Sequence, residues 1–218
     1  MNVTVILSGG SGVRFGGETP KQYQMLLGEE IIAYAVRAAK ASALTDRILI
    51  VAQREHTERL AYAYGVECAE AGATHNASVK SALEYVKPRC PACENVLFAD
   101  AARPFLTAER IDECFGLLED CDAVITARRI TDSLGREGEA FTDRSLYYLI
   151  QKPEAFRFRM LCERFDADSP CTAIAQQLPP EANVRKRFGT ENNMKITHPE
   201  DLFLAETLMK RVREGRKA

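Results

Sequence analysis

Four short runs rich in apolar and β-branched residues alternate along this chain with four longer stretches of helical periodicity. The runs are Val3–Leu7, Arg47–Ala52, Asn95–Ala99 and Asp122–Ala127; the helical stretches are Glu30–Ser42, Glu55–Tyr64, Asn76–Val86 and Thr107–Leu118. Strand alternating with helix means βαβ units, and βαβ units build a mostly parallel sheet with helices on its faces. The chain is therefore read as α/β and doubly wound, and its 218 residues are ample for one core. The rhythm breaks over 130–150, where Gly135, Gly138 and alternating residues around Ala140–Tyr148 predict a projecting β-hairpin. Leu146, Tyr147, Tyr148 and Leu149 on that hairpin need a surface to pack against, since an isolated two-stranded ribbon is marginal in water. No repeat or linker divides the sequence, so residues 1–218 are read as one domain carrying an inserted arm.

The first apolar run opens straight into a loop holding Gly9, Gly10, Gly12, Gly16 and Gly17, with Arg14 and Lys21 in the same segment. Glycines bring bare N–H groups close to an anion, and two fixed cations complete a cradle for a polyphosphate at a strand's carboxyl end. Phe15 stands where the dinucleotide fingerprint needs its third glycine, and Lys21 lies between Pro20 and Gln22 instead of in Gly-Lys-Ser/Thr. Neither common phosphate loop is present.

Composition removes other classes. A net charge of −2 argues against broad nucleic-acid binding, and no window approaches the length of a membrane span. The early apolar run is too short for a secretory signal, so a cytoplasmic location is expected. Seven cysteines, an odd count, argue against a disulfide framework. Cys90-Pro91-Ala92-Cys93 lacks the second pair that a zinc site needs, and it is read as a reduced loop pair.

Three further segments carry chemistry. Gly72-Ala73-Thr74-His75-Asn76-Ala77-Ser78-Val79 is a turn into a helix, where Asn76 or Ser78 could cap and offer polar groups to a ligand. Asn95–Phe105 is a buried strand ending on Asp100, followed by Arg103 and Pro104; a carboxylate there can hold a metal or a substrate hydroxyl, or pair with Arg103 to fix the turn. In Asn193–Leu202, Lys195 is placed on a strand before a helix entered through Pro199, Glu200 and Asp201.

These motifs resemble the cytidylyltransferases of 2-C-methyl-D-erythritol 4-phosphate and ribitol 5-phosphate. That family's L-A-A-G-x-G-x-R-M-G and P-K-Q-[YF]-L are matched at Leu7, Gly10, Gly12, Arg14, Gly16, Pro20, Lys21, Gln22 and Tyr23. Its D-A-A-R-P-F is matched at every position from Asp100 to Phe105, and its N-[IM]-K-[IV]-T-x-P-x-D-L throughout Asn193–Leu202. The resemblance implies a Rossmann-like sheet of the nucleotidyltransferase type, CTP and a small polyol phosphate as substrates, Mg²⁺ held mainly by the triphosphate, and a homodimer formed through the arm. It implies Arg14, Lys21, Arg144 and Lys195 as catalytic, with Arg144 often supplied by the neighbouring subunit. Ser8, Gly9, Gly10, Ser11, Gly12, Gly72, His75, Ser78, Ala99 and Ala101 then fall at the nucleotide, and Asp100, Arg103, Ser133, Arg144 and Cys171 at the acceptor.

The chain departs from the pattern chiefly around the acceptor. D-T-[IM]-K becomes Asp132-Ser133-Leu134-Gly135, T-P-Q-x-F becomes Lys152-Pro153-Glu154-Ala155-Phe156, and T-D-E-A-S becomes Ala167-Asp168-Ser169-Pro170-Cys171. His75 replaces the arginine of G-G-x-x-R-x-x-S-V, exchanging a permanent cation for a side chain that titrates near neutrality. The expected reaction is cytidylyl transfer to 2-C-methyl-D-erythritol 4-phosphate. Ribitol 5-phosphate is the alternative acceptor, and a silent dimeric nucleotide-binding protein the alternative class.

Overall fold

A computed structural model describes residues 1–10, 12, 15–17, 19–189 and 192–215. The sheet begins with β1 (Asn2–Ser8), followed by a small hairpin of β2 (Met25–Leu26) and β3 (Glu29–Glu30) and by α1 (Ile31–Ala41). Next come β4 (Arg47–Ala52), α2 (Arg54–Tyr64), β5 (Glu67–Glu70), α3 (His75–Arg89), β6 (Asn95–Asp100) and α4 (Ala108–Leu117). The chain finishes with β7 (Ala123–Arg129), β8 (Tyr148–Arg157), α5 (Phe158–Arg164), β9 (Val184–Phe188) and α6 (Pro199–Gly215). Among the described residues one seven-stranded sheet has the order β5-β4-β1-β6-β8-β7-β9, and β8 alone runs against the other strands. The mostly parallel, doubly wound expectation holds.

Alternation along the central strands splits the core into two layers, because successive side chains point to opposite faces. Ile6, Ile50 and Leu97 pack under α1, α2 and α4 with Ile32, Leu60 and Ile111. Their neighbours Val5, Val51 and Phe98 pack on the other face with Val79 of α3 and Leu161 of α5. A third cluster joins α6 to the β2–β3 hairpin and α1 through Leu26, Ile31, Tyr34, Ile196, Ala205 and Met209. No helix among the described residues is long and apolar enough to cross a membrane.

The arm differs from the expected hairpin. Antiparallel pairing lies at its base, where Arg128 and Arg129 of β7 face Leu149 and Tyr148 of β8. Beyond that base, residues 130–147 form turns and a 3-10 turn over Arg144–Leu146. Asp132, Arg136, Glu137, Glu139 and Asp143 leave this excursion no apolar face on which paired strands could stand alone. Its apolar residues point to solvent, with Phe141 80% and Leu146 75% exposed.

Candidate active site

Strand β1 lies between β4 on one side and β6 on the other, and the chain changes direction of winding there. Open α/β sheets bind ligands at such a crevice, outside the carboxyl ends of the strands. A cavity of about 450 Å³ occupies it, walled by Leu7–Gly10 and Gly12 of the glycine loop, Lys21, Gln53, the Gly72–His75 turn, Ser78, Asp100–Ala102, Lys195 and Thr197.

The glycine loop is fastened from below by two amides. Gln22, which is buried, donates Nε2 to the carbonyls of Ser8 at 2.7 Å and Gly10 at 2.9 Å. Gln53 donates Nε2 to the carbonyl of Gly9 at 3.1 Å. With their carbonyls engaged from below, loop residues can turn N–H groups towards an anion. Ser8 is also tied down, its hydroxyl 3.0 Å from the Tyr23 hydroxyl. Gly12 has φ +72°, and a Cβ on it would stand 3.3 Å from the Lys21 nitrogen, so the loop folds closely over the start of the Lys21–Tyr23 turn.

Gly9 requires glycine for a different reason. A Cβ there would lie 2.4 Å from the Cβ of Ala71 and 3.3 Å from Ser78 Oγ. The family pattern has alanine at the position of Gly9 and glycine at that of Ala71, so this chain has exchanged the two sizes across one contact. Gly9→Ala should therefore cost about 1–3 kcal/mol by overpacking, read as a lower urea midpoint. Adding Ala71→Gly should restore most of it, and a double variant as weak as the single one would refute the exchange.

Helix α3 starts one residue earlier than its sequence suggests, and Thr74 is its cap, accepting from the Ala77 N–H at 3.0 Å. Asn76 does not cap. Its Nδ2 donates to the carbonyls of Ser169 and Cys171, each at 2.9 Å, and so docks that loop on the helix. The Ser78 hydroxyl donates back to the Thr74 carbonyl at 2.9 Å, so its proton is used within the turn. His75 Nε2 is buried in the cavity wall with no hydrogen-bond partner among the described residues. Burial, and then the charge of Lys152, push its pKa down to about 4 despite the opposing pull of Asp100. The expected titration near neutrality is thus corrected: His75 is a neutral ring at physiological pH.

Beside Leu7 at the start of the glycine loop, β6 delivers Asp100, buried at the strand's end. Arg103 Nε donates to its Oδ2 at 2.9 Å, and Lys195 Nζ stands 3.1 Å from the same oxygen. Burial alone would raise the Asp100 pKa, but Lys195, Arg103 and Lys152 outweigh it and hold the carboxyl well below the usual carboxylate range. Lys195 sits on an irregular segment, not the expected strand. Two features fix that segment. The Ile196 N–H donates to the Ala102 carbonyl at 2.9 Å, and Asp201 Oδ2 accepts the N–H groups of Thr197 and His198 at 2.7 and 2.9 Å.

The structure thus gathers Ser8, Gly9, Gly10, Gly12, Lys21, Gly72, His75, Ser78, Asp100, Ala101 and Lys195 around one cavity. Ser11 and Arg14 lie outside the described residues. Ala99 belongs to the core, because the residue before Asp100 on a strand points to the other face. Arg103 lines no part of the cavity; it is buried, and its second contact, Nη1 to the Asn193 carbonyl at 2.6 Å, makes it a brace for Asp100. The Cys171 thiol does not line the cavity either; its residue contributes the carbonyl that Asn76 holds. Ser133 and Arg144 sit in the arm, around a separate hollow of about 470 Å³, with Arg144 Nη1 donating to the Thr131 carbonyl. Gln53 carries no motif signal, and only its place at the end of the strand beside β1 points to it.

The family model described as "IspD: 2-C-methyl-D-erythritol 4-phosphate cytidylyltransferase" matches residues 2–211. A 2-C-methyl-D-erythritol 4-phosphate cytidylyltransferase of Cereibacter sphaeroides is 32% identical over 216 residues, spanning 94% of this chain and 95% of that protein. One from Alkaliphilus oremlandii is 28% identical over 230 residues, spanning 97% and 96%. Among solved structures, 4-diphosphocytidyl-2C-methyl-D-erythritolsynthase of Anaerococcus prevotii superposes with a TM-score of 0.82 at 21% identity, covering 96% of this chain and 98% of that one. The 2-C-methyl-D-erythritol 4-phosphate cytidylyltransferase of Thermus thermophilus gives 0.77 at 24%, covering 94% and 98%. At those identities the two structures share the fold.

Proposed function

Because the chain belongs to the 2-C-methyl-D-erythritol 4-phosphate cytidylyltransferase family, we propose that it joins CTP to 2-C-methyl-D-erythritol 4-phosphate with release of pyrophosphate. A phosphate oxygen of the acceptor attacks the α-phosphorus, the bond to the β-phosphate oxygen breaks, and pyrophosphate leaves. The observation that carries this reading is that one cavity is lined both by a glycine loop with Lys21 and by Asp100 with Lys195.

Such chemistry needs positioning and charge neutralisation more than covalent help. In this reading Arg14 and Lys21 stabilise the charge that develops on the phosphorus and the leaving group. Asp100 accepts hydrogen bonds from the polyol, and Lys195 faces the incoming phosphate. Asp100 is the carboxylate among the described residues that line the cavity, and it is already paired with Arg103 and Lys195. That arrangement fits an Mg²⁺ ion carried by triphosphate oxygens more than one held by an all-protein cage. Bound there, the ion supplies further charge neutralisation across the triphosphate.

Arg144 stands in the arm, away from its own chain's cavity, on an excursion whose Phe141 and Leu146 are exposed. We infer a homodimer in which the arm of one copy reaches the other and Arg144 meets the acceptor phosphate there. Pyrophosphate release with CTP and Mg²⁺ tests the reaction, run with 2-C-methyl-D-erythritol 4-phosphate, with ribitol 5-phosphate and without acceptor. Turnover confined to the first is expected. Turnover confined to ribitol 5-phosphate would overturn the acceptor, and release in neither arm, from a protein that binds CTP, would overturn the reaction.

A further inference from the structure

Two extra residues are inserted in β8 where it passes β7: Ile125 faces Glu154, but the next residue, Thr126, faces Gln151. Lys152 and Pro153 thus form a bulge, a device that re-aims side chains beside active sites and interrupts the hydrogen-bond ladder. A buried carbonyl freed in this way needs another donor. Two side chains supply one. Thr126 Oγ1 donates to the Pro153 carbonyl at 2.9 Å, and Asn193 Nδ2 donates to the Lys152 carbonyl at 2.7 Å. The bulge is itself a fixed anchor, because Lys152 Nζ donates to Glu154 Oε2 at 2.7 Å and that oxygen also accepts the Ile174 N–H at 3.1 Å.

Asn193 reaches this anchor from the segment that carries Lys195, and it is 2% exposed. Its Nδ2 also donates to Gln151 Oε1 at 3.2 Å. A carbonyl can only accept, so the Lys152 contact fixes which end of the Asn193 amide faces β8. With the side chain docked there, the Asn193 carbonyl accepts from Arg103 Nη1 at 2.6 Å, and Arg103 Nε donates to Asp100 Oδ2 at 2.9 Å. Two residues further on, Lys195 Nζ stands 3.1 Å from the same oxygen. We propose that Asn193 is a positioning residue for the reaction: docked on the β8 bulge, it sets the brace on Asp100 and the reach of Lys195 together. That Asp100 and Lys195 serve the acceptor rests on the cytidylyltransferase reading; the geometric claim does not.

The test compares Asn193→Ala with Thr126→Val, which strips the donor from the neighbouring bulge carbonyl at a residue that lines no part of the cavity. Both variants should have lower urea midpoints, because each leaves a buried carbonyl without its donor. Only Asn193→Ala should slow turnover, with kcat down about 10–100-fold, the scale of a small misplacement. Its KM for 2-C-methyl-D-erythritol 4-phosphate should rise. Its KM for CTP should stay near the wild-type value, since Gln22 and Gln53 hold the glycine loop separately. A crystal structure of ligand-free Asn193→Ala should show Lys195 Nζ out of ion-pair reach of Asp100. Should that variant fail to fold, Asn193→Asp keeps the shape, turns an acceptor towards the Lys152 carbonyl, and is read in the same way. Equal slowing in the two variants, wild-type kinetics in the folded Asn193 variant, or an unmoved Lys195 in its crystal overturns the proposal. The crystal structure needs neither substrate nor turnover, so a failed pyrophosphate assay leaves that result standing on its own.

Discussion

Lys21→Ala is expected to lower kcat by about 10²–10³-fold, the usual loss for one preorganised charge donor at a developing anion. Its Tm should stay within the range of a surface change. The backbone around Lys21 is set by other residues. Pro20 precedes the turn, the Tyr23 N–H donates to the Pro20 carbonyl at 2.9 Å, and Gly12 closes over the Lys21 nitrogen. Removing the ammonium group takes a fixed positive charge from the cavity wall. Steady-state kinetics with CTP varied up to saturation separates the two contributions: a transition-state role lowers kcat, whereas uniform binding raises KM alone. A fall of less than about tenfold, outside the range for such donors, would remove Lys21 from the chemistry.

The second large effect concerns stability. Asp100→Ala should cost about 3–5 kcal/mol, because Arg103 would be left as an uncompensated buried cation. Arg103 is 8% exposed, and its remaining contact is one carbonyl, that of Asn193. Lys195 is more open and can turn to water. Asp100→Asn/Arg103→Met should accordingly be far less destabilised than Asp100→Ala, although both lose turnover. Urea midpoints for the two variants decide it, and equal losses would place the cost in the acidic side chain itself. The pH dependence carries a definite sign. With a depressed folded-state pKa, the Asp100 contribution is complete above the ordinary carboxylate range near about 4. It is lost as pH falls through the folded-state value below that range.

The part of this fold that is legible in the residues is the part whose strands are covered on both faces. β1, β4 and β6 are continuous apolar runs, and those runs end within a residue or two of the strands themselves. β8 is hidden because its buried stretch includes the Lys152–Glu154 pair, which breaks the apolar pattern while satisfying itself by an ion pair. β9 reads Val-Arg-Lys-Arg-Phe and lies at the sheet's edge, where charge is tolerated; β5 is only four residues long. In the site, Asp100 and Lys195 announce themselves by charge at a strand end and in a motif. Gln22 stands in the matched Pro-Lys-Gln motif without showing its role and Gln53 stands in none, because both act through amides on backbone carbonyls, and nothing in a string of residues marks which carbonyl will need a donor. The turn-fixing pair of Asp100 with Arg103 is legible, but the second partner of Arg103 is not, since it depends on where the Asn193 carbonyl returns.

The distribution of cavity residues along the chain has a consequence for synthesis. The glycine loop, the α3 turn and Asp100 all lie before residue 103, whereas Lys195 and Thr197 arrive after the rest of the sheet. They are seated by the Ile196–Ala102 hydrogen bond and by α6 packing on Leu26, Ile31 and Tyr34. A nascent chain emerging from the ribosome thus carries the glycine loop long before the residues that complete the cavity. Domains generally fold as units, so the cavity is complete only once α6 has been made and covers the apolar hairpin patch.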